Sequence, residues 1–435
     1  MKSLKLLLRF AVLGALILLL LVPLLMIRGI IGEREGRRDE AIERVAASKA
    51  GEQRFVGPVR YLPWTREVET KVRDENGVVR SERRRETGVL TQAPSRLWVD
   101  GRLLPSERRI GLFRVPVYTW EAKVRATFAP MPYAAADGRV YGQPYLALGL
   151  SDVRGLVGVP SLTVDGRELP LRAGGGALKR GLHADLAPAP YAASGILPAL
   201  GQTTLDLRLD GTRALSIVPI GDATDVQLSS SWPHPLFGGS FLPNKREVDA
   251  GGFRAQWSLS SLASDAQARL VAGEEGEALR VDLVDPVDTY TLADRASKYG
   301  LLFVLLTFTG FVLLELIRKL KIHPVQYLLV GLALAIFFLL LFSLSEHIAF
   351  WQAYLAAAVA CIGLQFFYLA GVLRSRALAA GFATLLSALY GVLYSLLVSE
   401  DNALLMGSLL LFGILAAIMW LTRRLDWYAL NEELR

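Results

Sequence analysis

Cysteine is almost absent from this sequence, and charged residues are scarce. The only cysteine, Cys361, excludes a disulfide framework within the chain and a zinc site built from cysteines. Charged residues make up 20% of the 435 residues, while apolar residues make up 52% and the mean hydropathy is +0.35. An ordinary soluble domain carries about 25% charged residues. The composition therefore excludes a disordered or collagen-like chain and a wholly soluble enzyme, and it predicts a membrane protein.

The motifs of common active sites are also missing. The sequence contains no His-Glu-x-x-His, no Gly-x-Ser-x-Gly and no phosphate-binding loop, and none of its four histidines pairs with another at metal-ligand spacing. The glycine triplet at 174–176 lacks the Lys-Ser/Thr of a phosphate loop, so we interpret it as an ordinary loop. We therefore expect no catalytic residue, no metal and no cofactor.

The net charge of +7 raises the question of nucleic-acid binding. Residues 29–298 contain 36 Lys and Arg against 34 Asp and Glu, so most of the surplus flanks the apolar segments outside this region. A nucleic-acid-binding domain needs basic residues clustered on one surface. We expect no nucleic-acid partner, and we expect membrane lipids to surround the apolar segments.

Six apolar segments are long enough to cross a bilayer as helices. The first covers residues 6–27, and the other five cover roughly 299–317, 325–344, 348–370, 377–398 and 403–422. The first segment is longer than the apolar core of a secretory signal and has no Ala-x-Ala-like cleavage site, so we predict an uncleaved anchor.

The short loops between these segments alternate in charge, which predicts their orientation. Basic residues follow the second, fourth and sixth spans (Arg318, Lys319, Lys321, Arg374, Arg376, Arg423 and Arg424), whereas acidic residues follow the third and fifth (Glu346, Glu400 and Asp401). Lys and Arg in short loops mark the cytoplasmic side. Both termini are therefore predicted to be cytoplasmic, and residues 29–298 are predicted to lie on the opposite side.

The long exported segment alternates apolar and polar residues, as β-strands with one buried face do. The clearest predicted strand covers residues 117–128, and shorter runs occur at 205–210 and 253–259. Four pairs predict tight turns, because Asn, Asp and Gly tolerate positive φ: Asn76-Gly77, Asp100-Gly101, Asp165-Gly166 and Asp210-Gly211. These patterns predict antiparallel sheets in a sandwich or open barrel.

The predicted fold class is mixed: a six-helix α-helical membrane protein with a large inserted all-β, sandwich-like exported domain. The predicted organisation is an N-terminal anchor (1–28), a juxtamembrane helical stalk (29–54), a β-rich domain (55–298), a five-helix transmembrane bundle (299–422) and a cytoplasmic tail (423–435).

Two groups of residues are candidate interaction positions. The segment 232–243 mixes aromatic residues with proline and glycine, which predicts an irregular loop that either plugs the sandwich or binds a ligand. Its candidate residues are Trp232, His234, Phe237 and Phe241.

The second group lies where the exported segment returns to the bundle. Glu346 and His347 connect two apolar helices, and we predict that Glu346 pairs with Arg295 or Lys298 on the same membrane face. We expect Glu346 and His347 to act through their position rather than through catalysis. Glu315, inside the second span, is predicted to pair locally with Arg318 and Lys319.

Several motifs resemble the CreD family of inner-membrane, cell-envelope integrity proteins. They are residues 295–303 (RASKYGLLF), 322–334 (IHPVQYLLVGLAL) and 344–348 (LSEHI), with shorter pieces at 57–59 (GPV) and 239–243 (GSFLP). The resemblance implies a Gram-negative inner membrane, a periplasmic location for residues 29–298, and a role in envelope stress linked to colicin tolerance and to responses to β-lactams. It supplies no catalytic residues.

The leading hypothesis is a non-enzymatic envelope-maintenance protein whose exported sheets bind an envelope component, a protein or a cell-wall-related partner. The alternative is a transporter or a lipid-handling permease, and a membrane enzyme ranks third. The ligand and the oligomeric state stay open at this point.

Overall fold

A computed structural model of the chain describes residues 3–73, 79–134, 138–187, 194–284, 289–318, 322–399 and 403–423. The chain divides into two compact units. Met1–Arg38 and Val287–Arg435 form a helical unit, and Asp39–Pro286 form a β-rich unit. The helices are α1 (Ser3–Ser48), α2 (Ala266–Ala272), α3 (Thr289–Lys298), α4 (Gly300–Arg318), α5 (Pro324–Ser345), α6 (Phe350–Val372), α7 (Arg376–Val398) and α8 (Ala403–Thr422).

Four of these helices are long and apolar enough to cross a membrane: α1, α5, α6 and α7. Helices α3 and α4 meet at a bend of 44° and count as a fifth crossing if the bent pair is one span. The described apolar part of α8, Leu405–Trp420, is shorter than the roughly 20 residues that a bilayer requires. The structure therefore has four candidate crossings, or five if the bent pair is one span, instead of the six predicted from the sequence, and hydropathy alone does not detect the bend.

The predicted stalk continues the first apolar helix. Helix α1 extends to Ser48, and the first strand begins at Gln53. Helix α3 belongs to the helical unit, although it falls within the segment predicted to be β-rich.

The β-rich unit contains the described strands of the chain. They are β1 (Gln53–Arg73), β2 (Val79–Gln92), β3 (Arg96–Ile110), β4 (Phe113–Phe128), β5 (Met131–Ala134), β6 (Val140–Tyr141), β7 (Tyr145–Leu150), β8 (Ser161–Val164), β9 (Arg167–Leu169), β10 (Arg172–Ala173), β11 (Gly181–Asp185), β12 (Ser194–Leu197), β13 (Leu200–Thr212), β14 (Ala214–Ile217), β15 (Ala223–Ser230), β16 (Pro235–Gly239), β17 (Lys245–Asp249), β18 (Gly252–Ser260) and β19 (Leu279–Leu283).

Two large sheets and one small sheet organise these strands. The first sheet has the order β10-β11-β7-β1-β14-β19-β16, with β2 and β6 also paired to β1. The second has the order β17-β18-β15-β3-β4-β13-β8-β9, and β12 pairs with β5 separately. Most pairs are antiparallel, as predicted, but β1 with β14 and β15 with β3 are parallel. Local alternation cannot reveal parallel pairs, because their partners lie far apart in the chain.

The two large sheets share one hydrophobic core. The first sheet contributes Phe55 and Ile217, and the second contributes Trp120, Leu205 and Trp257, all at most 1% exposed. The alternation predicted for 117–128 is confirmed: Trp120 and its even-numbered neighbours from 118 to 128 are buried. Residues 205–209 and 253–259 also lie in strands, β13 and β18.

The predicted tight turns have mixed outcomes. Asp165-Gly166 is confirmed as a hairpin turn between β8 and β9, with φ of 47° and 81°. Asp100-Gly101 and Asp210-Gly211 lie inside β3 and β13, so these two turn predictions are wrong. A Cβ atom on Gly101 would lie 2.3 Å from Trp120 Nε1, so this glycine makes room for a buried indole. Asn76-Gly77 lies outside the described residues.

Candidate functional site

One candidate site lies at the C-terminal end of α5, in the helical unit. Glu346 caps this helix, where the negative end of the helix dipole disfavours a carboxylate. Its side chain is only 8% exposed. Arg34 of α1 compensates, since its Nε lies 3.8 Å from Glu346 Oε1, and the Tyr290 hydroxyl donates to the same oxygen at 3.4 Å. The result is a carboxylate held between α1, α3 and α5.

The cation observed beside Glu346 is Arg34, which is neither of the two predicted partners, and the pairing of Glu346 with Arg295 stays a prediction. Lys298 Nζ lies 2.6 Å from Asp294 Oδ2, one turn earlier on α3, and Arg28 of α1 approaches Asp294 Oδ1 at 3.7 Å. Arg295 is half-buried on the same helix. The sequence prediction overlooked α1, because no local pattern brings residues 28–34 beside residue 346.

His347 lies next to Glu346 in the chain but differs in its surroundings. Its side chain is exposed, and its backbone N–H donates to the Leu344 carbonyl at 2.9 Å as the helix ends. The neighbouring Ser345 is buried and donates to the Phe342 carbonyl at 2.8 Å. His347 and Glu346 thus share a connection without forming one polar cluster.

The segment 232–243 of the β-rich unit is more regular than predicted. Residues Pro235–Gly239 form β16, an edge strand antiparallel to β19, so the prediction of an irregular loop throughout is wrong. A strand at a sheet edge tolerates proline because one side of its backbone makes no ladder hydrogen bonds.

The aromatic residues of this segment cover the sandwich. Phe237 makes edge contacts with Phe253 and Trp257, with ring centroids 5.6 Å and 5.9 Å apart. Trp232 Nε1 donates to the Val284 carbonyl at 2.8 Å, and the carbonyl of half-buried Phe241 accepts a hydrogen bond from Trp257 Nε1 at 3.1 Å. His234 is exposed. The three aromatics thus act structurally, while Leu236 and Leu242 expose 56% and 65% of their area.

A buried carboxylate lies near the other end of α5. Glu315 of α4 is 6% exposed and accepts a 2.7 Å hydrogen bond from the Tyr327 hydroxyl and a 3.2 Å bond from the Ile322 backbone N–H. The predicted partners Arg318 and Lys319 have side chains outside the described part of the chain. The observed contacts join α4 to the start of α5.

The interior of the helical unit also contains an amide with no partner. Gln365 of α6 is 1% exposed, and within the described part of the chain neither its nitrogen nor its oxygen has a hydrogen-bond partner. The buried Tyr390 hydroxyl has none either. Cys361 lies one turn from Gln365 on α6, and its Sγ lies 3.6 Å from the Ala333 carbonyl of α5. Buried polar groups without hydrogen-bond partners lower the stability of the folded state, so Gln365 and Tyr390 destabilise this part of the helical unit.

The end of α1 is fixed to the sheets within the β-rich unit. Lys49 Nζ lies 2.6 Å from Asp210 Oδ2, and the buried Gln53 amide donates to the carbonyls of Asp152 and Asp210. Partial burial acts to raise the pKa of Asp210, but hydrogen bonds from Lys49 and Thr119 outweigh it and hold the pKa below its ordinary value. Nearby, Ile42 and Val45 pack on Val115 and Val117.

Sequence reasoning missed Arg34, Arg28 and Asp210, because their roles depend on distant partners. Gln365 is a polar residue within an apolar run of the sequence, and this signal could have identified it as a buried amide. Among the described residues, no group of three or more His, Cys, Asp or Glu side chains is arranged to hold a metal ion.

Comparisons with known proteins match nearly the whole chain to one family. The family model described as "Inner membrane protein CreD" matches residues 5–428. The protein of that name from Escherichia coli (strain K12) is 35% identical over 424 residues, which cover 95% of this chain and 92% of that protein.

Solved structures give only a weak likeness. An M1 zinc metallopeptidase from Deinococcus radiodurans is 8% identical, with a TM-score of 0.22 over 44% of this chain and 42% of that one. A related structure, a two-domain M1 zinc metallopeptidase bound to L-tryptophan, has a TM-score of 0.21 over the same shares and is also 8% identical. The chain thus spans less than half the length of these structures.

Proposed function

Because the chain belongs to the CreD family of inner membrane proteins, we propose that it is a non-enzymatic envelope-maintenance protein whose β-rich unit binds an envelope component or a protein partner. The observation that carries this proposal is the match over nearly the whole length, which covers both units. A role in colicin tolerance and in the response to β-lactams is part of the proposal.

The surface of the β-rich unit supports a binding role. The segment 232–243 is fixed from beneath by aromatic contacts and presents Leu236 and Leu242 on its outer side. A rigid support that holds exposed apolar side chains lowers the entropic cost of binding a partner.

We propose the orientation that the loop charges predict, with both termini cytoplasmic and residues 29–298 periplasmic. The basic residues that follow the second, fourth and sixth apolar segments support this orientation.

The experiment is site-specific photo-crosslinking in intact envelopes. A photoreactive residue replaces Leu236 or Leu242, and the matched control replaces Leu262, which is 97% exposed in the short turn after β18. The proposal expects a discrete adduct from the first two positions and none from the control. Equal labelling at all three positions, or no adduct at any, contradicts it.

One observation favours the alternative of a transporter or permease. The unpartnered Gln365 amide inside the helical unit is the kind of group that a translocated substrate or a file of water would satisfy. Uptake of a substrate into vesicles that is lost in the Gln365→Leu protein supports the permease. A Gln365→Leu protein with unchanged envelope function supports the binding role.

A further inference from the structure

A cleft with charged rims opens in the β-rich unit. Its volume is about 350 Å³, at the lower end of the roughly 300–1,000 Å³ of pockets for small ligands. The start of β1, the turn before β11 and the segment after α2 surround it. Its apolar wall consists of Val56, Leu178, Val218, Ile220 and Leu270.

Three cations line the cleft. Arg54 is half-buried and donates from Nη2 to the Gly276 carbonyl, which connects its guanidinium to the segment after α2. Lys179 and Arg180 are exposed on the turn before β11. Within the described residues, none of the three has a carboxylate within 4.0 Å, so their charges are free to meet an anionic group.

The turn that carries two of these cations is strained. Lys179 has φ 64° and ψ −55°, and the Arg180 N–H donates to the Leu178 carbonyl at 2.7 Å. This three-residue turn with positive φ is rare for a residue with a side chain, and such strain concentrates at ligand-binding positions.

Glycines at either side make this turn possible. Gly176 has φ 56°, and a Cβ atom there would lie 2.6 Å from the Tyr145 ring. Gly181 has φ 135°, where a Cβ would collide with the Leu148 carbonyl. The glycine triplet noted in the sequence therefore belongs to a compact turn that presents Lys179 and Arg180 at the rim.

Two acids also line the cleft. Glu274 and Glu275 are exposed directly after Gly273, which ends α2 with φ 73°. Among the described side chains, no cation lies within 4.0 Å of either carboxylate. The cleft therefore combines an unpaired positive rim, an unpaired negative rim and an apolar wall.

We propose that this cleft binds a small zwitterion of dipeptide size. Its carboxylate lies among Arg54, Lys179 and Arg180, where charge-assisted hydrogen bonds are strong, and its ammonium faces Glu274 and Glu275. An apolar side chain packs on the part of the wall formed by Val56, Leu178 and Leu270. The inference rests on the proposed binding function of the β-rich unit and names its ligand class.

Calorimetric titration of the full chain in lipid nanodiscs tests the proposal, with the dipeptide Ala-Leu as the probe. The amide of this dipeptide removes the carboxylate, and its N-acetyl derivative removes the ammonium. We expect each derivative to bind at least tenfold more weakly than Ala-Leu.

Variants of the cleft test the contributions of its cations and of its acids separately. Lys179→Gly removes the lysine ammonium group and relieves the strained φ, so the protein should fold normally. In this variant, Ala-Leu should no longer bind more tightly than its amide. Arg180→Gln is a second variant with the backbone unchanged. Glu274→Gln combined with Glu275→Gln should remove the advantage of the free over the acetylated dipeptide. Lys245→Ala, on exposed β17, is the control and should bind as the wild type does.

Three results would overturn the proposal. They are no saturable binding at millimolar dipeptide, equal binding of Ala-Leu and its amide, or unchanged binding in both the cation variants and the acid variant. Tighter binding of glycerophosphoethanolamine than of Ala-Leu would reassign the cleft to a lipid headgroup. Photo-crosslinking from Leu236 is repeated in the Lys179→Gly protein. An adduct that persists supports the envelope-binding function even if the titrations reject the dipeptide.

Discussion

The guanidinium of Arg34 lies 3.8 Å from the carboxylate of Glu346, so the first helix supplies the cation for an acid at the end of α5. The side chain of Arg34 is 35% exposed and that of Glu346 is 8% exposed. The carboxylate is therefore the member of the pair that depends more on its partner.

Arg34→Gln should destabilise the helical unit more than Glu346→Gln does. The first change leaves a buried carboxylate without its cation, while the second leaves a neutral amide that still accepts from Tyr290. We expect Arg34→Gln to cost about 1–2 kcal/mol, below the roughly 3–5 kcal/mol of a fully buried pair. Thermal unfolding in detergent measures this difference.

The double variant and His347 provide the controls. Arg34→Gln with Glu346→Gln should be less destabilised than Arg34→Gln alone, and His347→Gln should be close to wild type because its side chain is exposed. Equal effects of the two single changes would argue against the pair.

Asp210 should make the β-rich unit sensitive to acid. Its pKa is lowered in the folded protein, so its stabilising contribution is complete above the unfolded pKa of about 3.9 and is lost as the pH falls through the lower folded value. Asp210→Asn should cost about 1 kcal/mol at neutral pH, and the difference from wild type should shrink below about pH 4. Chemical unfolding across this pH range measures it.

Asp249→Asn is the matched control, because Asp249 is exposed on β17 and its asparagine can still accept from the Gly251 N–H. A stability difference for Asp210→Asn that is independent of pH would contradict the role assigned to the Asp210 carboxylate.

Gly101→Ala should destabilise the sandwich by about 1–3 kcal/mol through overpacking. The added Cβ would lie 2.3 Å from Trp120 Nε1 and 2.9 Å from Leu228 Cδ2, and both side chains are buried. Gly238→Ala is the control, since nothing lies within 4 Å of its Cβ position. Urea unfolding followed by tryptophan fluorescence compares them, and equal midpoints would refute the explanation.

Cysteine labelling should establish the orientation. In a Cys361→Ala background, His347→Cys should react with an impermeant maleimide in intact spheroplasts, whereas Ser375→Cys should react only after permeabilisation. The reason is the basic pair Arg374 and Arg376 beside Ser375. Labelling of Ser375→Cys in intact spheroplasts would contradict the proposed orientation.

Gln365→Leu should raise the free energy of unfolding by about 1–2 kcal/mol, because it removes a buried amide that has no partner among the described residues. Thermal unfolding and envelope complementation are measured together. A stabilised protein that still complements fits a binding role, while a stabilised protein that loses function assigns the amide to a permeating substrate. A destabilised protein would mean that the amide contributes to packing.

The parts of the fold that depend on local pattern were predictable from the sequence. The alternation of 117–128 is confirmed in β4, and the motifs identified the CreD family. Asp165-Gly166 is a turn and Asp100-Gly101 is not, although the pairs are chemically alike. The difference comes from Trp120 on the adjacent strand, which sequence spacing does not show.

The candidate sites were less predictable for the same physical reason. The acid of the Arg34–Glu346 pair was identified, but its cation was not, because helix packing chooses the partner. The charged cleft joins β1, the turn before β11 and the segment after α2, which are distant in the chain. Of the cleft, the sequence indicated only the loop that contains the glycine triplet at 174–176.

The order of strands has a consequence for how the protein is made. Strand β1 lies beside β14, and β19 fills the place between β14 and β16 although it is the last of the described strands to be synthesised. A chain delivered from its N-terminus exposes Phe55 and the backbone edge of β1 until its distant neighbours arrive, and such long-range pairing is slow and open to aggregation. The first sheet is complete only after Leu283 has been delivered, six residues before α3 begins at Thr289. Synthesis that stops short of this point leaves β14 and β16 without the strand that joins them.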